Sequence, residues 1–288
     1  MKVPLLDLKP QYRLLKGEID AAIEQVCESQ HFILGPAIKA LEVGVAAYCQ
    51  VPHGVGVSSG TDALLLALMA LGIGPGDAVL TSSYTFFATG GTIARTGARP
   101  IFLDIDPVTF NLSPTAVRRC LEQDCERREG RLVHRASGAT VRALMPVHLY
   151  GQLADMALLM LLAREHGLRV IEDAAQAIGA ADAHGQRACS FGDVGCLSFF
   201  PTKNLGAFGD AGACVMRDAD LAKHMSTLRV HGMEPKYYHA LIGGNFRIDE
   251  IQAAVLNVKL RHLDSWSEGR QRNAAFYDSA FADAGLGG

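Results

Sequence analysis

Val55-Gly56-Val57-Ser58-Ser59-Gly60-Thr61-Asp62, running into the apolar stretch Ala63 to Gly74, sets a short strand against the start of a helix with a hydroxyl-rich turn between them. From here the chain alternates short apolar runs with helical stretches, the pattern of a parallel sheet covered by helices. Val55 to Val57 reads as a strand and Asp62 to Leu71 as a helix. Ala78 to Ser82 and Pro100 to Leu103 read as strands on either side of a helix from Phe87 to Arg95. Ser113-Pro114 reads as the cap and first turn of a helix reaching Leu121, because proline is tolerated where the amide has no partner. Glu122 to Ala139 is charged and reads as a surface excursion. Leu144 to Leu149, Arg169 to Glu172, Gly195 to Phe199 and Gly212 to Met216 are further strands, with helices from Met156 to His166 and Ala219 to Val230.

After Gly243-Gly244 the pattern changes. Ile248, Ile251, Ala254, Val255 and Val258 recur at helical spacing to Leu263, and a second helix is expected to Ala284. A helix pair is a poor free-standing unit. Residues 1–245 are therefore expected to form a large domain, and 246–288 the opening of a smaller one whose remainder is absent after Gly287-Gly288.

The composition narrows the partners. At 288 residues the chain can bury a large core, and a net charge of -3 with scattered Lys and Arg offers no footprint for nucleic acid or an anionic membrane. The longest apolar stretch falls short of the roughly 20 residues a spanning helix needs. Met1-Lys2-Val3-Pro4-Leu5-Leu6-Asp7 does not read as a signal peptide. Seven cysteines without a Cys-x-x-Cys pair argue against a disulfide framework or zinc knuckle and fit a reducing cytoplasm. The ten histidines show no metal-ligand spacing, so no metal is expected.

Two runs carry chemistry. Ile171-Glu172-Asp173-Ala174-Ala175-Gln176 ends one apolar strand, and Leu197-Ser198-Phe199-Phe200-Pro201-Thr202-Lys203-Asn204-Leu205-Gly206 follows another. An amine and a carboxylate delivered from the ends of two apolar strands suit pyridoxal 5'-phosphate: the amine forms a Schiff base with the aldehyde, and the carboxylate keeps the pyridine nitrogen protonated. Taken singly, Asp173 reads equally as a helix cap and Lys203 as a solvated lysine; their combination favours the cofactor. Ser58-Ser59-Gly60-Thr61-Asp62 reads either as an ordinary helix cap or as a phosphate cradle. Phe86 reads as a core aromatic or as a ring stacked on a planar cofactor, and Ser198 as a strand serine or a further phosphate donor.

In order along the chain, Ser59-Gly60-Thr61-Asp62-Ala63-Leu64, Thr85-Phe86-Phe87-Ala88-Thr89, Pro146-Val147-His148-Leu149-Tyr150-Gly151, Glu172-Asp173-Ala174-Ala175-Gln176, Ser198 to Leu205 and Gly244-Asn245-Phe246-Arg247 resemble the DegT/DnrJ/EryC1/StrS sugar aminotransferases. The resemblance implies an α/β protein of fold type I among pyridoxal-phosphate transferases: a mostly parallel seven-stranded sheet in an α/β/α sandwich, in a homodimer with shared active sites. It implies Lys203 as Schiff-base lysine and proton shuttle, Asp173 as partner of the pyridinium nitrogen, and Gln176 as donor to the ring hydroxyl. It further implies Phe86 stacking on the ring, Ser59, Gly60, Thr61 and Ser198 at the phosphate, and Asn245 reaching that phosphate from the neighbouring subunit. The run His231 to His239 is either a contributor to the nucleotide-sugar side of the cleft or a surface loop. The implied reaction moves an amino group from an amino acid, with glutamate as the expected donor, to a keto group of a nucleotide-linked sugar. Related sugar dehydratases carry histidine where Lys203 stands, so lysine favours amino transfer. A non-catalytic cofactor-binding or dimerisation module is the alternative of another class; a desulfurase would need a placed nucleophilic cysteine, which the sequence does not supply.

Overall fold

The strand–turn–helix unit begins the sheet in this computed structural model, which describes residues 4 and 6–286. The readings made of Met1 to Val3, Leu5, Gly287 and Gly288 lie outside the described residues. Strand β1 (His53–Val57) leads through Ser58 and Ser59 into helix α3 (Gly60–Ala70). Ala63 to Leu68 are all buried, so α3 is apolar all round and lies inside the protein rather than on it.

Two helices the sequence reading did not assign, α1 (Lys9–Ser29) and α2 (Pro36–Tyr48), precede this unit. Helix α1 buries only Leu15, Ile19 and Val26, a stripe too thin to stand out from its charged surroundings. The other strands of the main sheet are β2 (Asp77–Ser82), β3 (Arg99–Leu103), β6 (Thr140–Met145), β7 (Arg169–Asp173), β8 (Val194–Ser198) and β9 (Gly212–Met216). Their order is β1-β9-β8-β7-β6-β2-β3. Every pairing from β3 to β8 is parallel, and β9 runs antiparallel to both of its neighbours. The expected mostly parallel seven-stranded sheet is present. Strands β2, β7, β8 and β9 are buried over most of their length on both faces, which is why they read as apolar runs, whereas the edge strand β3 leaves Phe102 exposed.

Two readings need correction. The segment expected as a surface excursion forms a hairpin, β4 (Cys125–Arg128) and β5 (Arg131–His134), which branches from the start of β6, where Val133 pairs with Thr140. Glu129 and Gly130 turn it with φ of 51° and 78°, the left-handed pair that suits a two-residue hairpin. Its outward charges hid the short apolar pattern. The strand expected to continue to Leu149 stops at Met145, because Pro146 has no amide to donate and Leu149–Gly151 closes into a 3-10 turn. The expected helix from Ser113 is α5 (Pro114–Arg119), capped by Ser113 Oγ, with a wider turn at Cys120–Asp124.

Helices α4 (Phe87–Arg95), α6 (Met156–His166) and α7 (Ala219–Leu228) complete the layers. Helix α8 (Glu250–Leu260) packs on α1 and α2. Its Ala253 and Leu256 share a core with Ile38 and Leu41, and its Val255 and Val258 meet Leu15 and Ile19. Helix α9 (Leu263–Asp283) buries Leu263 alone. No helix among the described residues is long and apolar enough to cross a membrane.

Candidate active site

Ligands of parallel sheets gather beyond the carboxyl ends of the strands, and the sequence's chemical residues converge there. The turns after β1, β7 and β8 and the segments after β2 and β6 enclose a cavity of about 520 Å³. Ser59, Gly60, Thr61, Phe86, Asp173, Gln176, Ser198 and Lys203 all line it. Asn245 does not: it is exposed and bridges to Val230 outside this cavity. The His231 to His239 loop also lies away from the cavity lining, with Tyr237 and Tyr238 exposed.

Asp173 is the last residue of β7 and is buried. Burial raises its carboxyl above the usual carboxylate range, against the pull of hydrogen bonds from Thr89 and Ala175 and of His148 and Lys203 nearby. Thr89 Oγ1 donates to Asp173 Oδ2 at 2.7 Å, and the Ala175 amide reaches Oδ1 at 3.3 Å. Since Thr89 commits its one proton to Asp173, Thr85 Oγ1 must be the donor in its 2.7 Å contact with Thr89 Oγ1. The two threonines form a relay that fixes the carboxylate. Their role was not read from the sequence, because Thr89 sits 84 residues from its partner.

The neighbour of Asp173 is held for a different reason. Glu172 is fully buried and accepts from the amides of Cys189, Phe191 and Gly192 at 2.7–2.9 Å. His148 Nε2 completes the set at 3.0 Å from Glu172 Oε2. Because His148 Nδ1 accepts from the Ala154 amide at 3.2 Å, the proton belongs on Nε2 and is donated to Glu172. The His148 amide in turn donates to the Asp173 carbonyl at 2.9 Å. This network ties the floor of the cavity to the loop 189–192.

Lys203 is half-buried in the turn between β8 and β9. Desolvation lowers its ammonium below the ordinary 10.5, and Asp173 opposes this from across the cavity. The Lys203 amide donates to the Phe200 carbonyl at 2.8 Å, so the turn is internally closed.

At the other end of the cavity, the first turn of α3 points its amides inward. Ser59 Oγ accepts from the Asp62 amide at 3.0 Å, so the helix-cap reading holds for Ser59 while its hydroxyl proton stays available. Ser58 Oγ donates to Asp62 Oδ2 at 2.6 Å. Gly60 is required by contact: a Cβ there would stand 2.6 Å from Ser198 Cβ. Gln176 Oε1 accepts from the Tyr150 amide at 2.8 Å, which directs its NH2 group to the opposite side. Phe86 is 73% exposed at the cavity edge, so it is not a core aromatic. Thr202 and Asp210 are among the further lining residues and were not singled out from the sequence.

The model of the DegT/DnrJ/EryC1/StrS aminotransferase family matches residues 14–287. The chain belongs to this aminotransferase family. It is 48% identical over 284 residues to a pleiotropic regulatory protein of Geobacillus stearothermophilus, covering 99% of this chain and 72% of that protein. It is 44% identical over 275 residues to the UDP-N-acetyl-3-dehydro-alpha-D-glucosamine 3-aminotransferase of Acidithiobacillus ferrooxidans, covering 96% of this chain and 70% of that one. The crystal structure of Streptomyces venezuelae DesV in complex with a ketimine intermediate superposes with a TM-score of 0.88 at 45% identity, over 98% of this chain and 71% of that one. The type I α/β architecture expected from the motifs is thus that of the family.

Proposed function

We propose that this chain transfers an amino group from an amino acid, with glutamate as the expected donor, to a keto group of a nucleotide-linked sugar, using pyridoxal 5'-phosphate. One observation carries the reading: Lys203 and Asp173, from separate turns, line the same cavity. The name of the Acidithiobacillus relative supports the sugar-nucleotide class.

The residues present fit the cofactor. The start of α3 offers unpaired amides beside the hydroxyls of Ser59, Thr61 and Ser198, a ready anion site for a phosphate. Asp173 offers a carboxylate of raised proton affinity to a ring nitrogen, Gln176 an NH2 donor to a ring hydroxyl, and Phe86 an open face to a flat ring. When bound, the cofactor supplies an aldehyde that condenses with amines and a ring that takes up the electrons released at the substrate carbon. Asp173, steadied by Thr89, holds a proton at the ring nitrogen. Lys203 Nζ anchors the ligand and, once released, acts as the base that moves a proton to and from the substrate carbon. Burial favours its neutral form, which a base requires. Asn245, outside its own chain's cavity, is assigned to the phosphate of a second copy in a homodimer. The seven free thiols suit a reducing cytoplasm.

The test is spectroscopic. Protein loaded with the cofactor should absorb in the visible, and added glutamate should convert that band to the amine form with release of 2-oxoglutarate. Lys203→Ala should lower turnover about 10²–10⁴-fold, the usual contribution of a positioned proton-transfer group. Full turnover in that variant would refute the assignment. The name of the Geobacillus relative favours a second reading, a non-catalytic regulatory module; it predicts bound cofactor that glutamate leaves unchanged.

A further inference from the structure

Lys259 lies on the inner face of α8 with 3% of its surface exposed. Its Nζ donates to the Gly206 carbonyl at 2.6 Å and sits 4.9 Å from the centre of the Phe208 ring, against which Tyr12 packs edge-on. Burial pushes the ammonium down to about 8, with no neighbouring charge opposing it. A buried ammonium with one carbonyl partner is costly, and an apolar side chain of the same length would fill the space more cheaply. What the amine adds is the bond to Gly206.

Gly206 closes the turn that carries Lys203. The Ala207 amide donates to the Phe199 carbonyl at 2.8 Å, and a Cβ at Gly206 would stand 2.3 Å from the Pro201 oxygen. The limb leaving the turn is gripped a second time by α8, where Gln252 Oε1 accepts from the Phe208 amide at 2.7 Å. We propose that Lys259 is a positioning residue for Lys203, holding through the Gly206 carbonyl the turn from which Lys203 enters the cavity. This rests on the reading of Lys203 as the reacting amine, but it is a statement about the chain alone.

The test uses cofactor-free protein. Each lysine is labelled with an amine reagent across a pH series and read by peptide mass spectrometry, with exposed Lys236 as the internal reference. In the parent protein Lys203 should reach half-labelling at lower pH than Lys236. In Lys259→Met the Lys203 midpoint should move up toward that of Lys236, and Lys259→Arg, which keeps a donor, should move it back. A merely structural role would lower the melting temperature without moving the Lys203 midpoint. An unchanged midpoint in folded Lys259→Met, or no return in folded Lys259→Arg, would overturn the proposal. If circular dichroism shows that Lys259→Met does not fold, Lys259→Gln takes its place with the same two outcomes. Failure of the cofactor reading would appear as an absent visible band in loaded parent protein and would leave the labelling result standing.

Discussion

Asp173 shows how a site and a stable core pull in opposite directions. Its folded proton affinity is raised, so its contribution to stability is fully present below its unfolded value and is lost as pH rises through the folded one. As pH climbs through that folded value, the buried carboxyl of Asp173 therefore weighs increasingly against folding of the cofactor-free chain. Asp173→Asn, which can still accept from Thr89, should raise the urea midpoint at pH 7, and the gain should shrink as pH falls toward the carboxylate range. The same variant should lose about 10²–10³-fold in turnover, the range for removing one preorganised electrostatic partner. A variant both less stable and fully active would contradict this account. At this scale much of the site was readable, because Asp173, Lys203, Ser59 and Ser198 are chemically distinctive beside strands. Thr85, Thr89 and Lys259 were not. A lone threonine or lysine has many uses, and only the fold brings these to their partners.

The elements near the site owe their closeness to missing side chains. Helix α3 starts within contact of the end of β8 because position 60 has no Cβ. Gly60→Ala should force Ser198 aside, destabilise the chain by about 1–3 kcal/mol as overpacking does, and weaken binding of a phosphorylated ligand. Thermal denaturation with and without pyridoxal 5'-phosphate separates the two effects, and an alanine variant that binds as tightly as the parent would refute the contact argument. The largely buried strands β2, β7, β8 and β9 were legible as apolar runs within a residue or two of their ends. The β4–β5 hairpin was not, because Cys125, Leu132 and Val133 are its few buried members among arginines and glutamates. Helices α1 and α2 went unread because their partner, α8, lies some two hundred residues along the chain.

For the molecule as a whole, one buried charge sets a pH trend. Lys259 falls to about 8 on folding from an ordinary 10.5, so the unfolded chain holds more protons between those values and stability contributed by this group rises with pH across that window. Between pH 8 and 10.5 the parent should gain on the order of 3 kcal/mol relative to Lys259→Met. Urea titrations at the two pH values measure the difference, and a gap that stays constant would refute it. The sheet order itself could not be read from sequence: local patterns name strands, whereas β1 beside β9 is a pairing between distant segments.

That same pairing governs the order of events during synthesis. Val57 of β1 meets Gly212 of β9, so the completed first strand lacks its β9 partner until about 155 further residues have been made. At elongation speeds of about 5–20 residues per second, that is a wait of roughly 10–30 seconds. Throughout that interval Val55 and Val57 remain without their neighbour, and the nascent chain must be shielded or tolerate a bare apolar edge. Gly212 to Met216, by arriving late and reversed, closes the flank on both sides at once.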